Sequence, residues 1–191
     1  MDDVDALTSV YDYVRQNMPS NANADDLLRS KIVCSVSAFD KLMHDIIHTG
    51  IVEAYAGNRA TTPKYLDEPI PLKIVARLDN AGESPRDTVF ARSIRDKLRT
   101  LSFQHPEKVA DGLSYIWPEN RKWQRIAAAM GEEEKGVREM LKSIVQRRNA
   151  IAHEADLRSD DDVKQPISRE GAVEAARFMR QLGETFHRLI R

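Results

Sequence analysis

Residues 137–156 have the sequence VREMLKSIVQRRNAIAHEAD, and this stretch decides the fold. Its apolar residues recur at spacings of three or four, which predicts an amphipathic helix over about residues 132–155. Near its end this helix carries Arg148 and Asn149, then three small or apolar residues, then His153. Arginine is a permanent cation with a planar donor fork that suits phosphate, and histidine exchanges a proton near neutral pH. The pattern therefore indicates a phosphate site that could cut a phosphodiester without a metal.

Arg148 lies on the apolar stripe of the predicted helix, where a charge is costly unless it is paired. Asn149 and His153 are four residues apart and are helix neighbours, so a hydrogen bond could fix the imidazole. Arg148 and His153 are five residues apart, roughly 140° around an ideal helix. They reach one phosphate only if the helix distorts near its end or if two chains bring their motifs together.

The motif resembles the signature of the HEPN superfamily, an Arg and a polar residue, three further positions, then His. The run RRNAIAHE, the preceding VREMLKSIV and the upstream SVSAFDKLMHDII (residues 35–47) are most similar to the stand-alone bacterial branch called RiboL-PSP-HEPN. The resemblance extends over about residues 25–191. It implies a helical bundle, a homodimer with the motifs at its interface and, in many members, a metal-independent endoribonuclease. Some members of the superfamily lack activity.

Helical periodicity outside the motif predicts an all-α bundle forming one domain, residues 1–191. Residues 70–78 are the exception, since their alternating pattern permits a short edge strand or an irregular segment, although Pro71 interrupts it. Loops are expected near residues 80–85 and, with acidic character, at 158–165. The first predicted helix covers residues 5–17 and is ended by Pro19. A long central helix follows, with a capped, acidic start at Asp25 and an end at Gly57. The remaining predicted helices are one through Phe90, Ile94 and Leu98, then 106–117, 120–130 and 132–155, and a last one that begins at Ser168.

Three further groups are candidate site residues. We expect Arg147 to bind a neighbouring phosphate, and likewise a row of arginines at 92, 95 and 99; the alternative for each is a solvated side chain. Asp40 and Asp45, on the long helix, could brace Arg148 or His153. Trp123, between Arg121, Lys122 and Arg125, is either a core residue or a platform for a base.

Metal chemistry has little support in the sequence. His44 and His48 have the i, i+4 spacing of a shared metal, but no third ligand accompanies them. No phosphate-cradling glycine loop or cysteine cluster is present, so nucleotide hydrolases and zinc sites are excluded and no cofactor is expected. The single cysteine, Cys34, lies in an apolar helix and is predicted to be a buried small hydrophobe, with a reactive thiol as the alternative.

Composition limits the partners of the chain. Its formal net charge of −1 provides no global attraction for RNA, so RNA must bind at local clusters or in a dimer groove. No apolar run approaches the ~20 residues of a membrane span, and we expect no membrane partner and a cytoplasmic location. The predicted function is a homodimeric endoribonuclease acting on RNA, in the setting of a toxin or phage defence with an antitoxin or defence-system partner. The alternative is a non-catalytic chain that uses the motif to bind RNA or a nucleotide.

Overall fold

The structure is a computed structural model that describes residues 2–18, 23–80, 85–158 and 163–190. Across these ranges the regular elements are nine helices and one isolated antiparallel bridge between Leu157 and Lys164. The helices are α1 (Asp2–Asn17), α2 (Asp25–Tyr55), α3 (Pro63–Leu66), α4 (Leu72–Asp79), α5 (Arg86–Leu98), α6 (Pro106–Leu113), α7 (Lys122–Met130), α8 (Glu134–His153) and α9 (Arg169–Leu189).

The central element is α2, as its wide apolar stripe predicts. It packs against α1, α5, α6, α8 and α9, and its inward residues, including Leu28, Val36, Met43 and Ile47, are fully buried. Two acidic residues occupy its first turn, but its N-cap is Ala24, which makes no side-chain cap hydrogen bond. The acidic start was thus predicted correctly.

Residues 72–79 correct the prediction of an edge strand. This segment is helix α4, preceded by Pro71 as its N-cap residue. Ile74 is buried and Leu78 half-buried, so the i, i+4 pair faces α5 while Leu72 is 85% exposed. An alternating pattern of this length also contains the helical spacing, and packing against α5 decides between the two.

Turn chemistry agrees with several other predicted boundaries, whereas α6 ends at Leu113, before the predicted end at residue 117. Gly57 and Gly131 adopt left-handed conformations after α2 and α7, and Pro106 begins α6. Ser168 caps α9 by accepting a hydrogen bond from the Gly171 amide at 3.0 Å. The predicted helix terminator Pro19 and the predicted loop residues 81–84 and 159–162 lie outside the described residues.

Two single residues were also assigned from sequence. Trp123 belongs to the core, because it is buried, its Nε1 donates to the Pro106 carbonyl at 3.0 Å and its ring packs edge-on against Phe186. Cys34 is exposed, which corrects the expectation that it is buried. The apolar stripe of α2 is wide but does not go all the way round, and Cys34 faces its open side.

Candidate functional site at the end of helix α8

The predicted motif lies on the last two turns of α8. The buried side of this helix, formed by Val137, Leu141, Ile144 and Val145, continues toward Arg148, which is half-buried. The Nε of Arg148 is buried and has no hydrogen-bond partner among the described residues. The apolar stripe therefore carries a desolvated guanidinium N–H that the described part of the chain leaves unsatisfied.

His153 is the last residue of α8, and it is exposed. Its ring makes no hydrogen bond to Asn149 or to any other described side chain, so the predicted Asn149–His153 contact is not formed in this structure. The helix is regular as far as His153, and the amide of Glu154 still donates to the Ala150 carbonyl at 3.0 Å. The distortion that would let Arg148 and His153 converge within one chain is not seen.

The chain reverses sharply just after the motif. Ala155 and Asp156 have φ angles of 51° and 62°, in the left-handed region that costs a non-glycine residue about 1–2 kcal/mol. The Asp156 amide donates to the Ala150 carbonyl at 2.9 Å, and the Gln165 amide donates to the Asp156 carbonyl at 2.7 Å. These hydrogen bonds hold the turn on the end of α8.

The side chain of Asp156 is the centre of a buried ion-pair network. It is 0% exposed, and its Oδ2 accepts from Arg29 Nε at 2.6 Å and from the Arg147 guanidinium at 2.8 Å. Arg29 also donates to the carbonyl of Gln165 at 2.7 Å, and Arg147 donates to the side-chain oxygen of Gln165 at 2.6 Å. Arg147, predicted to bind phosphate, is thus held by protein groups, and its role toward RNA stays a prediction.

Sequence reasoning missed Asp156 and Arg29. The partners are 127 residues apart in the chain, and a single sequence carries no signal that would pair them. One indication was present, since Arg29 is a charge directly beside the buried Leu28 at the start of an otherwise apolar stripe.

A groove of about 350 Å³ opens between α2 and the end of α8. It combines apolar walls with Arg29 and Lys164, both of which pair with Asp26, and it lies next to the turn that follows His153. Its lining residues are Asp26, Arg29, Ser30, Val33, Cys34, Ile151, Ala155 and Lys164. The groove borders the motif helix at Ile151, and Arg148, Asn149 and His153 are not among its lining residues.

The other predicted site residues lie elsewhere. Asp40 accepts hydrogen bonds from the Phe103 amide at 2.7 Å and from the side chain of Gln104 at 3.1 Å, and Asp45 pairs with Lys41. Both carboxylates therefore have other partners, and their bracing role stays a prediction that these contacts do not support.

The arginine row is distant from the motif in one chain. Arg92 and Arg95 lie on α5, Arg99 caps its end, and all three are exposed. The His48 Nε2 on α2 hydrogen-bonds the Ala91 carbonyl at 2.9 Å, and His48 is 19 residues beyond Arg29, or about 28 Å along the helix. RNA binding by this row stays a prediction, and it requires a long contact or a second chain.

Metal ligands are not gathered in the described ranges, where no group of three or more His, Cys, Asp or Glu side chains could hold an ion. His44 packs edge-on against Phe103, with ring centroids 4.8 Å apart, and His48 bonds a main-chain carbonyl. No described helix has the length and apolar character needed to cross a bilayer.

Comparison with known proteins identifies the family. The sequence model of the RiboL-PSP-HEPN family matches residues 2–191, so the chain belongs to this family. Neither the curated proteins nor the solved structures include a match to the chain.

Proposed function

We propose that the protein is a metal-independent endoribonuclease whose active site contains Arg148, Asn149 and His153. The observation that carries this proposal is the state of Arg148. Its guanidinium is partly taken out of water on an apolar stripe, and its buried Nε has no described partner. An unpaired, desolvated donor is costly, and a phosphate group bound by Arg148 would offset that cost.

The reaction that suits these residues is transesterification within RNA. The ribose 2′-hydroxyl forms a bond to the adjacent phosphorus, the bond to the 5′-oxygen breaks, and a 2′,3′-cyclic phosphate remains. His153 removes the 2′-hydroxyl proton or supplies a proton to the leaving oxygen, which is general acid–base catalysis. Arg148 stabilises the charge that develops on the phosphorane oxygens.

A site composed of two chains agrees best with the placement of the motif. Arg148 and His153 point in directions roughly 140° apart on a regular helix, so a second copy can supply the group that the first cannot. The surface beside them carries small exposed side chains, Ser30, Cys34 and Ala152, which would permit close approach of another chain. A homodimer would then provide two histidines, one as base and one as acid.

The alternative is a binding module that holds RNA or a nucleotide phosphate without cutting it. The formal net charge of −1 favours this alternative, because tight non-specific binders of RNA are usually basic. The family resemblance adds a biological setting to the first proposal, a toxin or phage-defence effector restrained by a partner protein.

A cleavage assay on mixed cellular RNA separates the two functions. Wild-type protein in EDTA should cut RNA and leave cyclic phosphate ends, and His153→Ala should lower the rate by about 10²–10⁴-fold. An oligonucleotide with a single 2′-deoxy residue should resist cutting at that residue only. RNA that is bound but left intact would establish the binding module, and cleavage of the deoxy site at an equal rate would exclude the ribose hydroxyl as nucleophile.

A further inference from the structure

Asp156 joins the end of the motif helix to the central helix. One of its oxygens, Oδ2, is shared by Arg29 of α2 and Arg147 of α8, at 2.6 Å and 2.8 Å. The carboxylate is fully buried, and its Oδ1 accepts no hydrogen bond from the described residues. A buried charge needs its partners, so this contact fixes the relative position of the three segments.

The motif lies inside the chain segment that this contact closes. The ion pair joins residues 147 and 156, and Arg148, Asn149 and His153 all lie between them. A main-chain hydrogen bond from the Asp156 amide to the Ala150 carbonyl closes a smaller ring around His153. The ion pair and the main-chain hydrogen bond thus both restrain the short segment that carries the motif. Together they set the directions in which the motif side chains leave the helix.

The backbone adds a second, independent observation. Two consecutive non-glycine residues, Ala155 and Asp156, are in the left-handed region directly after His153. Strained backbone persists only where the surroundings enforce it, and it is concentrated at functional sites. Here the strained turn folds the carboxylate of Asp156 back between α2 and α8, where it meets the two arginines.

We infer that Asp156 is a positioning residue for the motif, acting through Arg147 and the last turn of α8 without touching the substrate. This inference rests on the proposed ribonuclease function. Catalytic side chains must be held within about 0.5 Å of their productive positions, and an exposed histidine at a helix end has no other restraint among the described contacts. Loss of the Asp156 ion pairs should leave Arg148, Asn149 and His153 present but poorly placed.

The test is Asp156→Asn, which keeps the shape of the side chain and removes its charge. The expected result for RNA cleavage is a kcat lowered by about 10–100-fold, since a misplacement of 1 Å can cost about that much. KM should stay within about twofold, because the groove and the arginines remain.

Two further variants separate positioning from loss of stability. Thr62→Val removes the buried hydroxyl that donates to the Ser114 carbonyl at 2.8 Å. Ile116, two residues after Ser114, packs against Gly50 of α2, which is about 30 Å along the helix from Arg29. Thr62→Val should lower the melting temperature and leave kcat per folded molecule unchanged. Arg29→Lys keeps the charge but loses the two-point donor fork, so it should lower kcat in the same direction by a smaller factor even if Asp156→Asn fails to fold.

The imidazole NMR signals of His153 give a readout that does not depend on activity. They should form one sharp set in the wild type and in Thr62→Val, and should broaden or split in Asp156→Asn and Arg29→Lys. If the wild-type protein were inactive on RNA, only the proposed function would be overturned. The His153 signals would then show whether Asp156 positions the motif. Unchanged His153 signals and unchanged kcat per folded molecule in both Asp156→Asn and Arg29→Lys would overturn the inference.

Discussion

Arg147 and Arg148 are neighbours in sequence whose guanidinium groups have opposite surroundings. Arg147 donates to Asp156 and to Gln165, and it is held entirely by protein acceptors. Arg148 has a buried Nε without a described partner. Arg147 therefore stabilises the fold. Arg148 has a desolvated, unpaired N–H, which is unfavourable, and a bound phosphate would reduce that cost.

Alanine at these two positions should have opposite effects on stability, although both variants should lose activity. Arg148→Ala should lower kcat by about 10²–10³-fold, the usual loss when a stabiliser of transition-state charge is removed, and should leave the melting temperature unchanged or higher because a poorly paired charge is removed. Arg147→Ala should destabilise the protein by about 1–3 kcal/mol, since the fully buried Asp156 loses one of its two partners, and it should lower kcat by a smaller factor because Asp156 positions the motif through Arg147. Calorimetry and RNA cleavage on the same preparations measure both effects.

The opposite pattern would reverse these assignments. A large fall in melting temperature for Arg148→Ala, with activity per folded molecule retained, would show that Arg148 is the structural arginine. Arg147 would then become the candidate phosphate ligand that its sequence position suggests.

Among the helices, α2 is the one against which α1, α5, α6, α8 and α9 pack. Gly50 lies in close contact with a neighbouring segment, because a Cβ built at this residue would lie 2.6 Å from Cγ2 and 2.9 Å from Cβ of Ile116. Both atoms belong to the stiff, branched part of the isoleucine, so the contact cannot be relieved by rotating a side-chain end. The absence of a side chain at Gly50 is thus a packing requirement.

Two glycine-to-alanine variants should therefore change stability in opposite directions. Gly50→Ala should lower the free energy of unfolding, because overpacking typically costs about 1–3 kcal/mol and exceeds the gain in helix propensity. Gly136→Ala, in α8 with no atom within 4 Å of its built Cβ, should raise it by about 0.5–1 kcal/mol. Urea unfolding of both variants checks the pair, and destabilisation by Gly136→Ala or stabilisation by Gly50→Ala would contradict it.

The helices and the motif could be predicted from the sequence because both depend on local spacing. Apolar residues at spacings of three and four predict helix α8, which carries the motif, and glycines and prolines mark most helix ends. The segment of α4 was assigned incorrectly, since eight residues with an interrupting proline carry too little periodicity to separate strand from helix. The contact of Arg29 with Asp156 could not be predicted at all, because it depends on how α2 and α8 pack and not on either segment alone.

At the scale of the whole molecule, a composite site has a consequence for mixtures of chains. A formal net charge of −1 leaves no long-range attraction for RNA, so the affinity has to come from the local cations, and two copies would double them. If acid and base are the two copies of His153, a dimer with one His153→Ala chain is inactive at its shared site. Such a dimer folds and binds but lacks one of the two proton-transfer groups.

After exchange of subunits, a mixture of wild-type protein and His153→Ala should therefore retain activity in proportion to the square of the wild-type fraction. In an equal mixture roughly one quarter of the dimers of a two-fold assembly contain two wild-type chains, so about a quarter of the activity should remain. Light scattering should give the mass of a dimer for both proteins and for the mixture, which shows that the loss is not caused by dissociation. Sites that each use one His153, within one chain or paired with Arg148 of the other chain, would instead retain about half of the activity in the equal mixture, and a fully active monomer would exclude a shared site altogether.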